Sequence, residues 1–173
     1  KKIFGIENKA SNYIVAYFLD NPSELARRAI AELKIALGCK VIGIPYKFDD
    51  LSYCDEVIPA GPIEFIDLIN NANCVLTDSF HGTAFSINLH RPFYTFGRMY
   101  GTAHSQSIRV ESILKKMNML DRFEPIDVSI SDKIDFAHSE AILAEERRRA
   151  RSYILTTLKT IKQYECKHRN AVL

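Results

Sequence analysis

"YIVAYFLDNPSELARRAIAELKIALGCKVIGIPY", Tyr13 to Tyr46, is the stretch whose reading decides the fold. Tyr13 to Asp20 is a short, continuous apolar run of the kind that suits a strand covered on both faces. Helix signals follow at once: Asn21 is a candidate N-cap, Pro22 suits a first helical position, and Glu24 completes a capping box. Leu25, Ala29, Leu33 and Leu37 recur on one face, and Gly38 ends the pattern. "KVIGIPY" then returns to strand. A strand, a helix and a strand with no hairpin turn between them predict parallel pairing through a right-handed crossover.

Outward from this unit the alternation continues. "EVIP" (56–59) reads as a short third strand. "GPIEFIDLINNAN" (61–73) opens with Pro62 in a helix-starting position and carries Ile63, Ile66 and Ile69 on one side. "CVLT" (74–77) is strand-like, "TAFSINLH" (83–90) a short helix, and "RPFYTF" (91–96) a strand. Residues 97–107, "GRMYGTAHSQS", lack any period and read as a mobile loop. "IRVESILKKMNML" (108–120) regains helical spacing at Ile108, Ile113, Leu114 and Met117. From Ser139 onward a long helix is expected, with a basic run at Arg147 to Arg151 that reads as a solvated face. Apolar Ile154, Leu155, Leu158 and Ile161 follow it. The predicted architecture is α/β: a Rossmann-like parallel sheet flanked by helices, one domain over residues 1–173, with a long C-terminal helix.

Composition sets the bounds. A chain of 173 residues, 47% hydrophobic and 25% charged, is long enough for one well-buried core. Its net charge of +2, from 23 basic and 21 acidic side chains, gives no electrostatic case for nucleic acid. A small or neutral partner is expected. Cys39, Cys54, Cys74 and Cys166 show no C-x-x-C spacing, and Cys74 lies in an apolar run where it acts as a small hydrophobe. No stretch has the length of a membrane span, and "KKIFGIENKASNYIVAY" lacks the apolar core and cleavage site of a signal peptide. A cytoplasmic protein with reduced thiols is the expectation. The first strand comes soon after residue 1 and no Met precedes it, so a C-terminal domain of a longer protein is expected.

The chemistry is concentrated in "TDSFHGTAF", Thr77 to Phe85. In open α/β sheets ligands collect at the carboxyl ends of strands, where a helix N-terminus offers unpaired N–H groups and a positive dipole end. Asp78 to Gly82 would form the loop after the strand, and Gly82 would allow close backbone approach. Thr83 would cap the next helix, and His81 would face the ligand. Alternatives stay open: His81 can simply bond to backbone, and Asp78 can orient His81 or cap the turn. Ser79 beside a His has no G-x-S-x-G elbow around it, which disfavours a hydrolase. Arg91, Arg98 and Arg109 can in principle reach a carboxylate or phosphate with a forked guanidinium. His104 sits in the loop within reach of a ligand, His90 ends a helix, and His138 and His168 read as surface. Glu64, in a first helical turn, is explained by the dipole. No metal-ligand spacing occurs, so neither a metal nor a cofactor is predicted.

"GPIEFIDLINNANCVLTDSFHGTAFSINLHRPFYTF" and "SIRVESILKKMNMLDRF" together resemble the C-terminal half of the polysaccharide pyruvyl transferase family. The resemblance covers roughly residues 10 to 125, with T-D-S-F-H-G as its most specific block. It implies one half of a GT-B-like enzyme, in which two Rossmann-like domains face each other across a cleft, and hence an absent N-terminal domain. It also implies transfer of pyruvate, as a ketal, from phosphoenolpyruvate to a sugar of a cell-surface polysaccharide or its precursor. A lipid-linked acceptor would be met at the inner face of the membrane. By the same resemblance His81 matches the family's His in this loop, as acid or as holder of the donor. Arg109 matches an Arg of an N-S-R-like segment, although Ser107 and Ile108 precede it here. Asp78, Ser79, Gly82 and Thr83 complete the implied binding site. One departure stands out: Ser79 occupies a place where many members carry the Arg of Arg-Leu-His. The alternatives are half of a GT-B nucleotide-sugar glycosyltransferase and a non-catalytic domain that binds a sugar phosphate.

Overall fold

The structure, a computed structural model, describes residues 11–46, 50–98, 104–128 and 134–169. The chain forms two compact units, residues 1–136 and residues 137–173.

The first unit is built on five parallel strands: β1 (Tyr13–Tyr17), β2 (Lys40–Gly43), β3 (Glu56–Val57), β4 (Cys74–Thr77) and β5 (Phe93–Thr95). Their order is β3-β2-β1-β4-β5. The chain therefore runs outward from β1 to β3 and then returns to lay β4 on the other side of β1. Ile14 and Val15 lie opposite Cys74 and Val75 across that central pair. Both strands are apolar without alternation because both faces are covered: Ile14, Val15, Ala16, Val75 and Leu76 are fully buried.

One face is covered by α1 (Glu24–Leu37). Its Ala26, Ala29, Ile30 and Leu33 pack with Ile14, Ala16, Val41 and Leu76, while Leu25 and Leu37 pack at the margin. The buried stripe is thus turned relative to the expected one, with Leu25 and Leu37 only partly covered. The cap also differs from expectation: Ser23, not Asn21, is the N-cap, its hydroxyl accepting from Ala26 N at 3.2 Å. Pro22 precedes the cap instead of opening the helix. Asn21 is held further out, its N–H donating to Asp20 Oδ1 at 2.7 Å. Gly38 ends α1 as read, in the left-handed conformation (φ 58°) that L side chains resist.

The opposite face meets α2 (Pro62–Asn71). Tyr13 donates from its hydroxyl to Leu68 O at 3.0 Å, and the Tyr17 ring meets Phe65 edge-on at 4.9 Å. Ile69 is fully buried, but Ile63 is half exposed. α3 (Phe80–Leu89) packs beside α2 through Phe85, whose ring lies 5.8 Å from Phe65. It ends at His90, which takes the left-handed C-cap conformation (φ 56°) and stacks at a tilt against Phe136. α4 (His104–Lys116) contributes buried Val110 and Leu114 and runs on to buried Met117 and Met119.

The loop expected over 97–107 is shorter than read, because α4 already begins at His104. Residues 99–103 and the side chain of His104 lie outside the described residues, as do the side chains of Cys166 and His168. The second unit is the body of α5 (Phe136–Arg169). Its basic run is a solvated face as expected: Arg147 pairs with Glu140, Arg148 with Glu145, and Arg149 with Glu145 and Glu146. No helix among the described residues is long and apolar enough to cross a membrane.

Cys39, Cys54 and Cys74 are free thiols. Burial pushes Cys54 up to about 11 and Cys74 up to about 12. Because the thiolate is the reactive form, Cys74 in the native protein should resist an aromatic disulfide reagent at pH 8 and react only on unfolding. Stoichiometric labelling of Cys74 under native conditions, read by peptide mass spectrometry, would contradict the burial.

Candidate functional site

The site begins where β4 ends. Thr77 donates its hydroxyl to Tyr17 O at 2.5 Å and accepts from Ser79 N at 3.0 Å, stitching the end of β4 to the end of β1. Ser79 is fully buried and extended, and its Oγ accepts from His81 N at 3.2 Å, which makes it the N-cap of α3. This corrects two expectations. The helix starts at Phe80, so His81 and Gly82 belong to its first turn and not to a loop. Thr83 is not the cap: its hydroxyl donates to Ser79 O at 3.0 Å and lies 2.9 Å from Thr95 Oγ1, turned toward β5. The capping position goes to the side chain that can reach the first free N–H groups, and only Ser79 stands before them.

Gly82 is required by space. A Cβ there would lie 2.5 Å from Thr77 Oγ1 and 3.0 Å from Thr77 Cβ and Cγ2. The absence of a side chain lets the first turn of α3 rest directly on the end of β4.

Asp78 fills the crevice between the carboxyl ends of β1 and β4, the point where the chain leaves toward opposite faces. Its Oδ1 accepts from Leu19 N at 2.8 Å and its Oδ2 from Asp20 N at 3.2 Å. Arg98 Nε stands 3.3 Å from Oδ2, with both side chains largely covered. Burial raises the carboxyl above its ordinary value; the Leu19 and Asp20 N–H groups and Arg98 pull the other way and only partly offset it. With the folded value above the unfolded one, Asp78 binds its proton more tightly when folded. Its contribution to stability is therefore full below about pH 3.8 and declines as pH rises through the raised value. Stability relative to Asp78→Asn should fall over that interval; urea titrations of both proteins that stay parallel across it would refute this.

His81 itself is exposed on the first turn of α3. Its ring meets Phe80 edge-on at 6.0 Å, and the Arg109 guanidinium sits over the Phe80 ring, 5.7 Å from its centroid. Packing of α4 beside α3 thus places both His81 and Arg109 against the Phe80 ring. Arg98 is bound to Asp78 instead, and Arg91 interacts with Tyr13, at the amino end of β1 and away from the site.

Beside His81 opens a cleft of about 400 Å³ walled by Tyr17, Tyr46, Phe65 and Phe85 and lined also by Gly61 and Pro62. The N-termini of α2 and α3 both reach it, but they differ in charge. The first turn of α2 contains Glu64, whose carboxylate folds back against Gly61, whereas the first turn of α3 contains no acid. The first turn of α3 is therefore the one without a carboxylate of its own, and it carries the imidazole of His81. That combination suits an anion.

The four aromatic walls went unnoticed in the sequence. Tyr17 had a usable signal, since it closes the first strand at the end where ligands collect. Burial raises its hydroxyl above the ordinary tyrosine value, and a hydrogen bond with Ser79 opposes this.

A model of the family described as polysaccharide pyruvyl transferase matches residues 4–98, more than half of the chain. The match takes in the sheet, the T-D-S-F-H-G block and Arg98, and Arg109 lies beyond it. No curated protein matches the chain. Among solved structures, the E. coli heptosyltransferase WaaC with ADP-2-deoxy-2-fluoro heptose is similar, with a TM-score of 0.43 and 18% identity. The similarity covers 59% of this chain and 39% of that one, so this chain spans about two-fifths of that protein's length.

Proposed function

Because this chain belongs to the polysaccharide pyruvyl transferase family, we propose that it is the half of such an enzyme that holds phosphoenolpyruvate, and that the complete enzyme transfers pyruvate as a ketal to a sugar. The observation that carries this reading is the presentation of His81 on the acid-free first turn of α3, with Arg109 and His81 both packed on Phe80. The donor's phosphate and carboxylate would lie against the helix N-terminus and the guanidinium, with His81 beside the reacting carbons. Asp78, Ser79, Gly82 and Thr83 belong to the site as the residues that fix its backbone.

Protonation of the methylene carbon makes the central carbon oxocarbenium-like. One sugar hydroxyl adds there and gives up its proton; the C–O bond to phosphate then breaks, and the second hydroxyl closes the ketal and loses its own. One phosphoenolpyruvate and one diol thus give one ketal and one phosphate. A positioned imidazole suits both the proton transfer and the growing charge on phosphate. No metal or other cofactor is invoked. In this reading a second Rossmann-like domain faces the first across the cleft, and the reaction occurs in the cytoplasm, with lipid-linked precursors taken at the inner membrane face.

The test is release of phosphate from phosphoenolpyruvate by the complete enzyme, with and without lipid-linked and nucleotide-linked sugars. Acceptor-dependent release is the expected result. No release with any acceptor, together with tight binding of a nucleotide sugar, would instead favour a glycosyltransferase.

A further inference from the structure

The cleft beside His81 is chemically unlike the donor end of the site. Among the described residues that line it there is no Lys, Arg, Asp or Glu; its polar groups are the Tyr17 and Tyr46 hydroxyls, the His81 ring and backbone. A multiply charged phosphoenolpyruvate placed there would lose water without gaining a fixed cation from those described residues. The phosphates of a nucleotide would find no Lys or Arg among those residues either. A neutral pyranose has the complementary surface: one face of C–H groups, slightly positive, that rests on the negative face of an aromatic ring, and an edge of hydroxyls.

We propose that this cleft is the subsite for the acceptor's sugar ring, a neutral pyranose laid against Tyr46 and Phe65 with the diol that becomes the ketal turned toward His81. The inference rests on the pyruvyl-transfer reading. The walls are set before any sugar arrives: Phe65 is clamped edge-on between Tyr17, at 4.9 Å, and Phe85, at 5.8 Å. Tyr46, more than a third exposed, is the most exposed of the four wall residues.

The test uses the full chain and two ligands observed separately. Saturation-transfer NMR reports contact with the methyl pyranosides of glucose, galactose and mannose, and phosphorus line-broadening reports phosphoenolpyruvate. At least one glycoside should receive saturation on its ring C–H protons. That signal should fall at least fivefold in Tyr46→Ala and in Phe65→Leu, while donor broadening persists in both. Amide spectra establish that each variant is folded, and Tyr46→Ala decides the matter if Phe65→Leu is not. The subsite is overturned if no glycoside receives saturation, if the signal survives Tyr46→Ala, or if uridine monophosphate displaces the glycoside more readily than excess glycoside does. Donor broadening that persists alongside any of these leaves the transferase reading standing. Absence of donor broadening in the wild type counts against that reading and the subsite together.

Discussion

Replacing His81 with Asn in the complete enzyme is expected to lower acceptor-dependent phosphate release by about 10²–10⁴-fold, the range general acid catalysis supplies. Asn keeps a polar side chain of similar reach but cannot carry a proton to carbon. The fold should be unaffected, because His81 is exposed and its backbone N–H, the atom that engages the Ser79 cap, is retained. The kinetic split separates the two roles an imidazole can have here. Loss of kcat with KM for phosphoenolpyruvate nearly unchanged identifies proton transfer. A rise in KM with kcat retained identifies anion holding. Near-normal pyruvylation by the His81→Asn enzyme would remove His81 from the mechanism altogether.

The second large effect is structural and is transmitted to the same residue. Gly82→Ala should destabilise the protein by about 1–3 kcal/mol, the usual cost of overpacking a well-filled position. The new methyl would press on Thr77 Oγ1 at 2.5 Å, and that hydroxyl cannot move away without losing its bonds to Tyr17 O and Ser79 N. Relief would come from lifting the first turn of α3 off β4, which moves His81, so activity should drop as well. Thermal unfolding of Gly82→Ala, Thr77→Ala and the double variant tests this. The double variant should be more stable than the sum of the two singles allows, because Thr77→Ala removes the oxygen and methyl that the new Cβ strikes. Strict additivity would show that the contact does not matter.

Local sequence was sufficient for the elements that announce themselves by short-range chemistry. The apolar run at Tyr13, the stop at Gly38 and the strand at Cys74 depend only on neighbouring residues, and they were legible. Cap positions were less so. Asn21 and Ser23 both carry cap-forming side chains, and so do Ser79 and Thr83; which of each pair meets the free N–H groups depends on where the backbone turns. For α1 that is decided beyond the hydrophobic pattern, in a region where Asp20 holds Asn21 outside the helix. For α3 it is decided by Thr77 and Thr95, residues of the sheet that draw Ser79 and Thr83 inward.

The candidate site divides in the same way. The His-Gly pair after a strand, read with the general rule that ligands gather at strand ends, was enough to single out His81. Its surroundings were not, because they come from residues remote in the chain. Return of the chain to place β4 beside β1 brings Tyr17 to His81 and lets Asp78 bind the Leu19 and Asp20 N–H groups. Packing of α4 on α3 lays Arg109 over Phe80, while the covered pocket at Asp78 takes Arg98. Sequence alone determined the parallel α/β layer and the placing of His81 just past the carboxyl end of a strand, since periodicity and turn chemistry act over a few residues. Only the tertiary structure decided which cations and aromatic rings face that residue, since strand order and helix packing join segments that carry no local mark of their meeting.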